Sequence, residues 1–296
     1  MHITSTTAGY GLGIALALLG AACGGGTGGT GVTNPAPPRA SDDPTTAVFG
    51  GGPPRASLGE RMGYRLSLRG IELAALQIAI GDVQELNGKQ AIVVQSHVQS
   101  TGLANMVSTV DDHFTTWLEV ATGRSLRFQA DEQATANKAD VEHVVVEIAS
   151  RTGTTVPVTF AVNDASPTTD TPQTVSMPDL WDFNSFLIAL RSWEPAVGAT
   201  VAVEAMRSRW MWHLETKFVG AEQLETELGA LPALKFETHS RKLGRDGQRT
   251  PNNADRDFTI YISDDADRVP LLVTAATDYG DVKLEIVDYQ AGASRQ

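Results

Sequence analysis

Residues 60–86, "ERMGYRLSLRGIELAALQIAIGDVQEL", decide the fold class. Met62, Tyr64, Leu66 and Leu68 alternate with Arg61, Gly63, Arg65 and Ser67, and Leu76, Ile78 and Ile80 repeat the same period of two. Successive side chains of a strand point to opposite faces, so this pattern builds one apolar and one polar face, whereas an amphipathic helix needs a period near 3.6. Gly70 separates the two runs as a hinge, and "NGKQ" at 87–90 opens the next turn before "AIVVQSHVQS" at 91–100. Alternating runs joined by breaks this short predict antiparallel neighbours.

The reading extends in both directions from there. Segments 105–120 and 123–133 read as two more strands around the turn Ala121-Thr122-Gly123, and 140–150 and 156–162 continue the pattern. The Pro- and Thr-rich stretch 163–179 reads as an exposed loop. The one helix expected lies in "DLWDFNSFLIALRSW" at 179–193, with Asp179 or Asp182 as N-cap and Phe183, Phe186, Leu187 and Leu190 as its apolar face. Strands resume at 199–208, 209–220, 221–229, 230–243 and 256–290. No βαβ alternation is present, which disfavours a doubly wound parallel sheet and its cofactor crevice. The expected body is a single mainly β domain over 58–290, followed by a short tail at 291–296. It is a large curved antiparallel sheet, an open half-barrel-like meander, with one short helix packed on it.

The first 57 residues have a different character. "GLGIALALLGAA" at 11–22 is an uncharged apolar run ending at Cys23, the only cysteine among 296 residues. A dozen residues suit the core of a secretory signal and fall short of the ~20 needed to span a bilayer. The segment resembles a bacterial lipobox, with Leu19 one residue upstream of the position that pattern favours and no Lys or Arg in the first ten residues. The resemblance implies a signal peptide at 1–22 and lipidation at Cys23, since only a thiol can become the thioether that holds a diacylglycerol. Gly24 after the cysteine resembles lipoproteins sorted to an outer membrane. Residues 23–57, rich in Gly, Pro, Thr, Ser and Ala, read as a disordered tether with a mean reach of roughly 30 Å.

Composition limits the function classes. A formal net charge of −12 argues against sequence-independent binding of nucleic acid or anionic lipid head groups. One cysteine cannot form an internal disulfide, so the fold rests on core burial. Asp264, Asp265 and Asp267 in "SDDAD" lie where a hairpin turns and lack the glycine and distal Glu of a calcium loop, so a turn role is expected. Asp111-Asp112-His113 reads as a solvated strand end, because no second His or Cys stands at ligand spacing along the chain. His97, His143, His213 and His239 are scattered singly, and Ser185 lacks a nucleophile elbow. Trp181, Trp193, Trp210 and Trp212 are the candidate ligand-binding residues, Trp210 and Trp212 on one side of a strand; the competing reading makes them the contact between helix and sheet. No catalytic residue, metal ligand or cofactor is expected.

The runs "LGERMGYRLSLRGIELA", "VSTVDDHFTTWLEVATGRSLRF", "DFNSFLIALRSW" and "FTIYISDDADRVPLLVTAATDYGDVKLEI" resemble, in order, the bacterial exported-protein family catalogued as domain of unknown function 3108. The resemblance implies a large curved antiparallel sheet in an envelope protein and supplies no reaction. The expected function is therefore that of a non-enzymatic, exported protein, lipid-anchored in the cell envelope at the outer membrane, with the membrane as its partner. One alternative is a binding module holding a lipid, lipoprotein or glycan on a concave β face. The other is a hydrolase with dispersed carboxylates.

Overall fold

The alternation at 60–86 becomes two paired strands, β1 (Arg61–Leu68) and β2 (Ile71–Leu86), antiparallel from Arg61 opposite Ala79 to Leu68 opposite Ile71. The computed structural model describes residue 49 and residues 52–293, apart from 108, 134–139, 164, 252, 254 and 278. Cys23, the signal segment and most of the tether lie outside the described residues. Beyond β2 follow β3 (Lys89–Ser100), α1 (Gly102–Val107), β4 (Asp111–Glu119), β5 (Ser125–Gln133) and β6 (Val141–Val146). Short strands come next: β7 (Thr155–Val156), β8 (Val158–Val162), β9 (Thr168–Thr169), β10 (Gln173–Thr174) and β11 (Leu180–Asp182). Then come α2 (Phe183–Ser192), β12 (Thr200–Arg207), β13 (Trp210–Thr226), β14 (Gly229–Leu243), β15 (Arg256–Ser263), β16 (Pro270–Thr277) and β17 (Gly280–Gln290).

Fifteen strands form one open sheet in the order β11-β12-β13-β14-β15-β16-β17-β1-β2-β3-β4-β5-β6-β8-β9, while β7 and β10 pair separately. The first and last long strands, β1 and β17, are neighbours in the middle of this sheet, so each half of the chain builds one wing outward from them. The pairing is antiparallel as expected except between β11 and β12, which run parallel because α2 connects them.

The wings curl around α2. Asp182 caps the helix through the backbone N–H groups of Asn184 and Ser185, and the Ser185 side chain completes a capping box. Phe183, Phe186, Leu187 and Leu190 are buried as expected, and so are Asn184, Ser185, Ile188, Ala189 and Arg191. The helix is therefore enclosed on all sides instead of lying on a sheet with one face in water. Phe183 meets Phe114 and Phe128 from one wing edge to face, and Trp193 meets Phe236 from the other at 5.9 Å.

Four expectations need correction. The strand over 105–120 begins only at Asp111: the Ser100 hydroxyl donates to Asn105 and accepts the Val110 N–H, folding 102–107 into α1. Segments 209–220 and 221–229 are not two strands, because β13 runs through Gly220 on a bulge whose φ of 142° glycine adopts without strain. Part of the tether belongs to the body: Phe49 packs on Trp181, Phe186 and Trp193 within 6.0 Å, and Ala56 is buried. Residues 163–179 are also more than an exposed loop. Gln173 and Val175 are fully buried, and the Glu204 carboxylate accepts from Ser176 and Met177, clasping this segment onto β12.

Candidate functional site

A dense cluster of ion pairs lies where the two wings approach each other. Asp112, Glu132 and Glu142 come from β4, β5 and β6, while Arg207 ends β12 and Arg209 lies in the turn that follows it. Arg207 donates to Glu132 and stands 4.0 Å from Asp112. Arg209 lies 3.7 Å from Glu142 and 3.5 Å from Asp170, and Arg245 also pairs with Asp170. The guanidinium of Arg207 sits over the Phe114 ring and that of Arg209 over Phe160 at 4.6 Å. Burial, reinforced by the neighbouring Glu132 charge, pushes the Asp112 carboxyl up from 3.8 to about 6, and its Oδ1 accepts the Gln133 N–H. A carboxyl poised near neutrality beside a second carboxylate is the raw material of acid–base chemistry. Here both are held by Arg207 with side chains only 9% and 12% exposed, the arrangement of an ion network that seals a seam.

The tryptophans divide. Trp181, Trp193 and Trp212 are buried in the core, the first two against Phe49 and the helix, as in the reading that makes them a helix–sheet contact. Trp210 alone is 41% exposed. The Lys242 ammonium stands 4.1 Å over its ring and 5.8 Å from that of Trp212, so both indoles share one side of β13. None of the three buried indoles lines an open face, since each is closed off from solvent.

Other candidates have structural partners. Asp265 Oδ1 accepts the Asp267 and Arg268 N–H groups and the Ser263 hydroxyl, which is turn chemistry, and Arg268 lies 3.4 Å from Asp264. Ser185 is buried and hydrogen-bonded to Asp182. His143 lies 2.7 Å from Asp131, and His239 lies 2.6 Å from Asp257. Burial, with Arg241 nearby, holds His213 below the usual imidazole range.

Two features escape a reading along the chain. One is a groove of about 830 Å³ on the sheet's other face, lined by Glu215, Lys217, Glu237, His239, Asp257 and Lys283 from four strands. The other is the juxtaposition of His97 and His113. These are sixteen residues apart in the chain yet directly opposite each other in the β3–β4 register. Spacing along the sequence overlooks a partner supplied across the sheet; the exposed polar positions of "SHVQS" and "DDHFT" were the available signal.

Among solved structures the chain is similar to a beta-barrel-like protein of domain of unknown function DUF1849 from Brucella abortus, at 8% identity and TM-score 0.48, covering 79% of this chain and 98% of that one. It is also similar to a protein with a YmcC-like fold from Bacteroides fragilis, at 7% identity and TM-score 0.36, covering 82% of this chain and all of that one. No curated protein sequence matches. The family model described as "Protein of unknown function (DUF3108)" matches residues 63–287, from β1 through β17, and the chain belongs to that family.

Proposed function

We propose that this protein is an exported, non-enzymatic lipoprotein of the bacterial cell envelope, anchored through Cys23 at the outer membrane and carrying a β body whose outer surface meets its partners. The observation that carries the reading of the body is the enclosed helix α2: with Phe186 and Leu190 fully buried between the wings, the concave side serves as core and not as a chamber for an acyl chain. The order of apolar segment, lone cysteine, Gly/Pro-rich spacer and folded body supports the anchor, since several acyl chains at about 0.8 kcal/mol per buried methylene hold a protein without a spanning helix. Radiolabelled palmitate tests it. Label should enter the wild type and be absent from Cys23→Ala, which should fractionate as soluble protein; equal labelling of both would refute the assignment.

The groove on the outer face favours a second reading, a module for a small polar ligand. Its walls offer carboxylates, two ammonium groups and an imidazole. A glycan screen on the purified chain, repeated with Lys217→Ala and Lys283→Ala, separates this reading from the first: binding that depends on both lysines supports it, and binding indifferent to them excludes it.

A further inference from the structure

We propose that His97, Asp111 and His113 form a binding site for a divalent transition-metal ion of the zinc class on the outer face of the sheet. This goes beyond the anchoring role and does not depend on it. Asp111 and His113 are two residues apart on β4 and so share a face, and the register brings His97 of β3 beside them. The two imidazoles stack with ring centres 4.1 Å apart and planes within 7°. Asp111 Oδ1 lies 2.5 Å from His97 Nε2, within hydrogen-bond reach, and 3.4 Å from His113 Nε2. One donor atom from each residue fits within 4.8 Å of the other two.

The convergence is chemically specific. A dication held by the three donors would accept one lone pair from each imidazole and balance the carboxylate charge. Tetrahedral zinc needs metal–ligand distances of about 2.0–2.2 Å, hence donor atoms about 3.3 Å apart, and an imidazole coordinates in its own ring plane, so the two rings must tilt out of their stack to bring both Nε2 atoms onto one ion while the carboxylate withdraws from His97. Two nitrogens and one oxygen select zinc, copper or nickel over calcium and magnesium, which require oxygen cages. All three side chains are at least one-third exposed, which leaves an entry path and free coordination positions for water or for a ligand from another molecule.

The test uses the full chain, prepared without an affinity tag and kept in detergent, titrated calorimetrically with zinc chloride and separately with calcium chloride. One zinc per chain and no calcium is the expected result. His97→Ala and His113→Ala should each weaken zinc binding by about tenfold or more, while His239→Ala on a distant strand should leave it unchanged. Proton and nitrogen resonances of the His97 and His113 rings in the wild type should shift on zinc addition, a reading that stands even if a variant misfolds. No zinc uptake, affinity unchanged in both His variants, or ring shifts confined to the other histidines would each overturn the proposal.

Discussion

At the scale of single residues, two buried ionic groups set the strongest expectations. Arg191, near the end of α2, forms a two-pronged pair with Glu60 at 2.6 and 3.2 Å and also donates to the Asp267 carbonyl, with both charged side chains 3% exposed or less. Removing one partner strands a charge in the core, so Arg191→Met should cost about 3–5 kcal/mol in urea unfolding. Replacing both, with Glu60→Leu added, should restore most of that loss; a double variant no more stable than the single would show that the pair does more than neutralise itself. Asp112 makes an expectation in pH. Its carboxyl holds a proton more tightly in the fold, at about 6, than the ordinary 3.8. Between these values the folded state binds more protons than the unfolded one, so this group's contribution falls as pH rises from 4 to 6 and the full penalty, about 3 kcal/mol, stands above that. Asp112→Asn keeps an acceptor for the Gln133 N–H and should flatten this part of the stability profile, measured in metal-free buffer by denaturant unfolding. An unchanged slope would place the proton elsewhere.

The helix α2 shows how an element is specified and where reading along a chain reaches its limit. The sequence marks its position and narrows the cap to Asp179 or Asp182; the structure selects Asp182, which makes the reciprocal hydrogen bonds of a capping box with Ser185 at the head of the apolar run. Its surroundings are not visible in that pattern: the Asp182 carboxylate also accepts the Thr116 hydroxyl at 2.6 Å, and Asn184 bonds Ser96 and Thr116, all across the interior. Asp182→Ala should therefore cost more than an exposed cap, about 2–4 kcal/mol, since buried N–H and hydroxyl groups lose their acceptor along with the cap. Asp182→Asn retains an acceptor oxygen and should cost less than half as much; equal losses would mean that charge, not hydrogen bonding, holds the helix start. The strands themselves are legible because period two reports a half-buried face. The clasp at 163–179 is not, since it is held by hydrogen bonds from Gln173 to Gly244, Thr174 to Arg245 and Val175 to Thr154, partners remote in sequence that no apolar period announces. The His97–His113 pair is hidden for the same reason: register is a property of two strands together.

For the whole molecule, the consequence lies in β17. It pairs with β16 on one side and β1 on the other, so its pairing with β1 is the backbone link in the sheet between the wing that starts the chain and the wing that ends it. Each wing by itself would present an unpaired edge and half of a face whose helix needs partners from both, with Phe114 and Phe128 on one and Phe236 on the other. Deleting 278–296 should thus abolish cooperative unfolding, leaving tryptophan fluorescence that changes gradually with urea and exposes Trp193. Deleting only 291–296, beyond the last strand, should alter stability by less than about 1 kcal/mol. The same topology sets the rate. Closing β1 onto β17 links residues more than two hundred apart, and loop-closure entropy must be met before that pairing gives any return, so refolding should be slow, milliseconds to seconds or longer. Stopped-flow fluorescence checks this, and joining Gln290 by a flexible linker to the segment that begins at Phe49, which keeps Phe49, Ala56 and Glu60, with new ends opened in the 245–250 turn, should speed refolding because the central pair becomes local. If the permutant folds no faster, the β1–β17 pairing is not part of the rate-limiting step and the wings must assemble around α2 first.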